Sequence, residues 1–428
     1  MFNKIKVFFN RLKKLNNNLN NSLYFYKNID ELPHVKNVWS SPRIYQRYIH
    51  SAFILFKRVV TYFDFRRNLK LDSKNIEEIL YVNSDNTYHS LDFLKKNNNI
   101  FIEQSNRILI FSSKRNSKVH NIATPLWIII LSVLNFPLFG FLFWNKIFTY
   151  PNLYFENWGK DYINILFLSK FNSLRHVIFA NDHNVENRLF LLACKELKIQ
   201  TIYLQHASVL ELFPDLDYDL SFLYGKVDFK KYGNKSTGLV KLVGSPKFDK
   251  LFLKRRPDNY ASVQTLGIAV NTIDISNKII LMVNEIIKKT TYKVILRTHA
   301  DDTRNLNFTN SRFSTHSAAE KSLDVYLSEI DFLISGESSI HLESLYINVP
   351  SVYFNFTYNS PNDYYHFLKE KLISVLDFDK ISDNYFIDII RTKSTNKILK
   401  KFIHSFGESY DGNVGELIIN EIRNNCDA

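Results

Sequence analysis

From Arg175 onward the chain alternates short apolar runs with amphipathic stretches, and this rhythm predicts most of its elements. RHVIFAND reads as a buried strand ending in polar residues, and NVENRLFLLACKELKI as a helix with Val185, Leu189, Leu192 and Leu197 at helical spacing. TIYLQH, YDLSFLYG and LVKLVGSPKFD follow as strands that close near His206, Gly225 and Gly244. The grammar then repeats. TLGIAVN is a strand, Ile275, Ile279, Met282 and Ile286 mark a helix, and KVILRTHA, DFLIS and SVYFNF are strands. Leu417, Ile418 and Ile422 mark a last helix over about 415–423. Such alternation builds parallel sheets joined by crossover helices. The fold class expected is α/β: two Rossmann-type domains facing across a cleft, joined near Val243 to Leu253, with residues 1–245 in the first and 246–428 in the second.

The first part of the chain is less regular. Residues 1 to about 75 read as helical, most clearly in SAFILFKRVVTYFDF, and short strands are expected at Ile79 to Val82 and Ile108 to Phe111. The uncharged segment from Ala123 to Trp144 is long enough to cross a bilayer. Asn135, Pro137 and Gly140 interrupt it, and Lys114, Arg115, Lys118 and Lys146 flank it with positive charge on both sides, so no orientation emerges. Three arrangements remain: a buried helix pair, an interfacial membrane patch and a span, with the first two preferred. A helical, hydrophobic N-terminal extension is expected.

Length suits two domains, and 45% hydrophobic with 23% charged residues is an ordinary globular balance. A formal charge of +13 points to an anionic partner. Zinc-finger spacing, an RNP-like signature and a basic helix with a heptad tail are all missing, so nucleic acid is not expected. An anionic membrane surface is. Cys194 and Cys426 lack metal spacing, which fits a reducing, cytoplasmic compartment. The basic start, MFNKIKVFFNRLKK, lacks the apolar core of a signal peptide.

Candidate chemistry gathers at strand ends, where ligands of open α/β sheets sit. Asn181, Asp182 and His183 follow one strand, with Glu186 on the next helical turn. Asp182 is a helix cap or a general base, and His183 its assistant or a phosphate ligand. Gln205 and His206 end the next strand. Arg297 and His299 end a third, where Arg supplies a permanent bidentate charge. The stretch SGESSIHLESLYINVP then reads as strand, tight turn and short helix. Gly336 is expected to supply the turn, and Ser338 or Ser339 to cap the helix and offer hydroxyls to a phosphate, with Ser335 before them and Glu343 a turn deeper. The ordinary reading is an αβ loop with capping serines and a solvated Glu343. The sequence has no Walker loop, GxGxxG, GxSxG or HExxH.

Taken in order, Gln205-His206-Ala207, Gly244-Ser245-Pro246-Lys247-Phe248-Asp249, Arg297-Thr298-His299-Ala300 and Ser335-Gly336-Glu337-Ser338-Ser339 resemble motifs of the bacterial surface-polysaccharide transferases of GT-B fold. That group holds the CDP-glycerol glycerophosphotransferases, capsule Kdo-transferases and bacterial polysialyltransferases. The likeness covers roughly 175–355. It departs at Ala207, Thr298 and Ala300, which replace Gly and two Pro, and at Lys247, which replaces Arg. It implies that His299, Ser338 and Ser339 bind the donor phosphate, that His206 lies near the reacting group, and that Glu343 bonds the ribose. Asp182 or Glu186 would be the base.

Transferases of this type generally need no metal, so no metal or other cofactor is expected. The activity implied is transfer of a sugar, sialic acid or Kdo from a CMP donor among them, to a cell-surface polysaccharide, lipooligosaccharide or lipid-linked acceptor. The setting implied is the inner face of a bacterial cytoplasmic membrane. Alternatives are a CDP-polyol phosphotransferase of the same fold, a nucleotide-sugar epimerase, and a non-catalytic envelope-assembly scaffold.

Overall fold

The computed structural model describes residues 2–23, 44–63, 75–95, 99–103, 119–143, 145–209, 211, 213–257, 263–304, 306, 308–357, 363, 365–392, 399, 401–403 and 412–426. Seven strands form a first sheet: β1 (Glu78–Tyr81), β2 (Asn99–Glu103), β3 (Val119–Asn121), β4 (His176–Phe179), β5 (Gln200–Leu204), β6 (Leu220–Leu223) and β7 (Leu239–Leu242). Six form a second: β8 (Thr265–Ala269), β9 (Lys293–Thr298), β10 (Phe313–Ser317), β11 (Phe332–Ser335), β12 (Ser351–Tyr353) and β13 (Ser374–Val375). The orders are β3-β2-β1-β4-β5-β6-β7 and β10-β9-β8-β11-β12-β13. Every pairing is parallel. Each sheet therefore reverses its winding once, between β1 and β4 and between β8 and β11. Crevices for ligands open at such reversals, outside the carboxyl ends of the strands.

The helices are α1 (Phe2–Ser22), α2 (Ile44–Phe63), α3 (Asp85–Leu91), α4 (Leu126–Leu142), α5 (Pro151–Asn157), α6 (Lys160–Leu168), α7 (Val185–Glu196), α8 (Lys226–Lys231), α9 (Lys247–Phe252), α10 (Ser276–Lys289), α11 (Leu323–Glu329), α12 (Ile340–Tyr346), α13 (Asp383–Thr392) and α14 (Val414–Cys426). They cover the faces of sheets whose central strands β1, β4 and β11 are buried throughout, as all-parallel sheets require. Strands β2, β3, β10 and β13 have no counterpart in the sequence reading. Three of these are sheet edges, and VHN, FSTHS and SV carry too few apolar residues to announce themselves. The strand expected at Ile108 to Phe111 lies outside the described residues.

Two expectations change. The segment from Ala123 forms one helix, α4, with Pro137 inside it, where a buried pair was one of the preferred readings. Its Ile128, Ser132, Asn135 and Phe139 are buried while the opposite face is open to solvent. No helix among the described residues is long and apolar enough to cross a membrane. The last helix, read with the second half, packs on the first sheet: Val414, Ile418 and Ile422 of α14 join Leu80, Ile178, Ile202 and Phe222 in one core cluster.

The linker anchors that return. Asp249 accepts hydrogen bonds from the backbone N–H groups of Val414 (3.1 Å) and Gly415 (2.9 Å), capping α14 with a carboxylate at its positive end. The halves also meet at Gly225, where a Cβ would lie 2.5 Å from the backbone oxygen of Phe402, so only glycine allows the approach.

Candidate functional site

At the carboxyl end of β4, Asn181 Oδ1 accepts from the N–H groups of His183 and Asn184, both at 3.1 Å, and turns the chain into α7. Asn181 thus shapes the turn before the helix, whose N-cap position is Asn184. Asp182 is buried, with Oδ1 3.1 Å from His183 Nδ1 and Oδ2 receiving the Tyr232 hydroxyl. Burial works to raise its pKa, but the bond and charge of His183 and the bond from Tyr232 outweigh it and hold the carboxyl below its usual range. Asp182 is therefore held ionised, its two oxygens facing His183 and Tyr232. The His183 ring is about a quarter exposed and stacks on Phe213, centroids 4.1 Å apart. Nδ1 facing the carboxylate favours the tautomer that carries its proton there.

His206 follows β5. Gln205 beside it is buried and structural, its Nε2 donating to Ala207 O (2.9 Å) and its Oε1 accepting from Tyr224 N (2.8 Å). The Nδ1 of His206 is buried without a hydrogen-bond partner. Burial above all, then the neighbouring His183, pushes the His206 pKa down to about 4, with Asp182 opposing and Lys247 adding to the effect. At neutral pH this imidazole is uncharged. Glu186 is separate: its carboxylate pairs at 2.8 Å with Lys160, which is fully buried. That bond satisfies a buried ammonium and ties α7 to α6.

On the second sheet, Ser335 and Gly336 end β11 at the winding reversal, beside the end of β8. Ser335 is buried and donates to Ala269 O (2.8 Å), so its hydroxyl pins two strands together. The turn does not need glycine, because a Cβ at Gly336 would meet its neighbours at 3.6 Å, ordinary contact. Its backbone oxygen lies 2.9 Å from Nε2 of His341, whose Nδ1 faces Ser351 Oγ. His341, one turn past the serines, is missed by the sequence reading. It is a buried clamp that fixes the loop, and a histidine on the apolar face of a predicted helix was the available signal. Glu337, without a role in the sequence reading, accepts from the N–H of Asp363 at 2.7 Å.

Ser338 and Ser339 are half-buried. Ser338 Oγ accepts a long bond, 3.4 Å, from Ile340 N, and Ser339 makes no capping bond with its side chain. Helix α12 has seven residues, so its dipole is short. Arg297 is buried, donates to Lys321 O (2.7 Å) and lies 5.3 Å over the Tyr326 ring, so it supports α11. His299 is exposed, its Nδ1 accepting from the N–H of Asp301 at 3.2 Å. Glu343 is buried and pairs with Lys247 Nζ at 2.7 Å. Desolvation opposes the charge on Lys247, but the Glu343 carboxylate and Tyr224 raise its pKa above the usual lysine value.

The structure thus gathers Asp182, His183 and His206 at neighbouring strand ends, with Lys247 and Glu343 from the linker and α12 within electrostatic reach of His206 and Arg297. Ser335, Arg297 and Glu186 are committed to structural bonds. Three Asp-x-Asp spacings occur, at Asp215-Leu216-Asp217, Asp217-Tyr218-Asp219 and Asp377-Phe378-Asp379. Asp217 pairs with Lys195, and Lys380 with Asp377. Among the described residues no three His, Cys, Asp or Glu side chains are placed to hold a metal ion.

Two all-parallel sheets, each wound with one reversal and joined by a linker, with the terminal helix returned to the first, define the GT-B fold. Among solved structures, CalG4, the calicheamicin glycosyltransferase, superposes with a TM-score of 0.50 at 8% identity over 82% of this chain and 98% of that one. A UDP-N-acetylglucosamine 2-epimerase gives 0.46 at 11% identity over 82% and 96%. The wall teichoic acid polymerase TagF gives 0.42 at 11% over 90% and 98%. No family model matches the chain, and no curated protein does.

Proposed function

We propose that this chain is a GT-B-type glycosyltransferase that moves a sugar from a nucleotide-activated donor to a surface glycan or lipid-linked acceptor at the inner face of the cytoplasmic membrane. The acceptor belongs to the first unit, 1–245, and the donor to the second, 246–428. The observation that carries the reading is the pair of histidines at adjacent strand ends, His183 oriented by Asp182 and His206 with an unpartnered Nδ1, set near the Lys247–Glu343 pair.

In this reading Nε2 of His183 takes the proton of the acceptor hydroxyl as its oxygen attacks the anomeric carbon and the bond to the donor phosphate breaks. Asp182 holds the imidazole tautomer and stabilises the imidazolium. The base is thus His183 in place of the carboxylates. His206 stays neutral and offers a hydrogen bond to the reacting group. The Ser338 and Ser339 hydroxyls, with His299, receive the nucleotide phosphates, and Lys247 balances the charge that develops on the leaving group. Glu343, bound to Lys247, sets that ammonium in place while remaining near the ribose. The reading assigns no step to a metal or other cofactor.

The test is a thermal-shift and transfer panel of CMP-, CDP- and UDP-activated sugars with CDP-glycerol beside them. A sugar donor that both stabilises the protein and is consumed supports the reading. Turnover of CDP-glycerol alone would replace it with polyol phosphate transfer, and no stabilisation by any nucleotide would sink it.

A further inference from the structure

Helix α4 carries an apolar stripe that no other described residue covers. Ile130, Leu134, Leu138 and Phe141 recur at helical spacing and are between 53% and 80% exposed. The neighbouring helices continue it, with Phe9 on α1 and Ile49, Phe53 and Phe56 on α2 all more than half exposed. Seventeen of the twenty-three exposed large hydrophobic residues among those described lie on α1, α2, α4 and α6, so the exposure is concentrated on this group of helices.

The stripe leads into a cavity. Between α1, α4, α6 and α7 lies a space of about 400 Å³, walled mainly by Leu12, Leu15, Trp127, Leu131, Tyr162 and Ile165. Trp127 and Leu131 sit on the same face of α4 as Leu134 and Leu138, so the cavity wall and the exposed stripe are one surface. Arg11 stands at the mouth, 5.4 Å over the Tyr162 ring, and Lys14 is held there by Glu196 at 2.6 Å. Helices α1 and α2 carry eight Lys and Arg and no Asp or Glu, and of these Arg58 is fully buried. Even with Glu196 on Lys14 and Asp161 in the cavity wall, the excess charge of α1 and α2 is positive, and an apolar face beside it complements an anionic lipid surface.

We propose that this face lies on an anionic membrane and that the cavity takes the apolar tail of one anionic lipid, its phosphate meeting the cationic rim of α1. The membrane placement rests on the same setting as the transferase reading and deepens it; the lipid-tail site does not depend on the transfer chemistry.

The full chain, mixed with phosphatidylcholine vesicles with and without phosphatidylglycerol, should co-sediment with the anionic ones. Leu134→Asp with Phe141→Asp should cut partitioning about tenfold or more. Both side chains are exposed, so an unchanged melting temperature certifies the fold; if it changes, the Ser pair at the same positions is used. No binding to phosphatidylglycerol vesicles, or equal binding by the double variant, overturns the proposal. So does a dimer in vesicle-free solution that the double variant dissolves, since the face is then a protein interface. Tail uptake is read from quenching by brominated-tail phosphatidylglycerol, taking as the Trp127 signal the difference from Trp127→Phe. Leu131→Phe, which fills the cavity, should remove most of that quenching while sedimentation persists; unchanged quenching rejects the cavity as the tail site. Nucleotide binding measured on the same samples separates a failure here from a failure of the transferase reading.

Discussion

Replacing Asp249 by Ala removes the cap that fastens the end of the chain to the first sheet. The carboxylate accepts from two backbone N–H groups, at 3.1 and 2.9 Å, at the start of the thirteen-residue α14. Loss of a capping side chain costs about 0.5–2 kcal/mol. The favourable placement of an anion at a helix N-terminus adds about 0.3–1 kcal/mol. Together a loss of roughly 1–3 kcal/mol is expected. For units of 150–250 residues each kcal/mol lowers Tm by about 2–4 °C, so the shift is readily measured by thermal unfolding. Hydrogen exchange localises it: amides of α14 should exchange faster, while those of β8 and β11 should not. Asp249→Asn keeps an acceptor but loses the charge, and should fall between wild type and Ala. An Ala variant with wild-type Tm and unchanged α14 exchange would refute the anchoring role.

Two further outcomes follow from the site. The folded pKa of His206, about 4, lies below the ordinary imidazole value, so its contribution is present above the unfolded pKa and is lost as pH falls from about 6.5 toward 4. Wild type should lose roughly 2–3 kcal/mol across that window and His206→Gln should not; parallel stability curves for the two would contradict the assignment. His183→Ala should lower turnover by about 10²–10⁴-fold with donor affinity retained, and Asp182→Asn should lower it through the wrong tautomer. If Asp182→Asn alone abolishes turnover while His183→Ala is benign, the base is the carboxylate after all.

The periodicity from Arg175 onward was sufficient to place β4 through β9, β11 and β12, because central parallel strands are apolar on both faces and their crossover helices are amphipathic. The polar residues at their ends were legible for the same reason: a strand need not end in Asp182 or His206 for packing. Edge strands β3, β10 and β13 were hidden by their short, polar composition. A linear pattern names neither neighbours nor partners. Only the tertiary structure decided that Asp182 is bonded to His183 and Tyr232, that Glu186 serves a buried Lys160, that Arg297 faces α11, and that Ser335 is taken by Ala269. It also sent α14 back to the first sheet and left one face of α4 uncovered by the described residues. In each case the outcome rests on which polar atom meets which across many residues of separation. The sequence by itself determined the alternation of strands and helices and the residue types at the strand ends; long-range contact determined which of those residues are free to act.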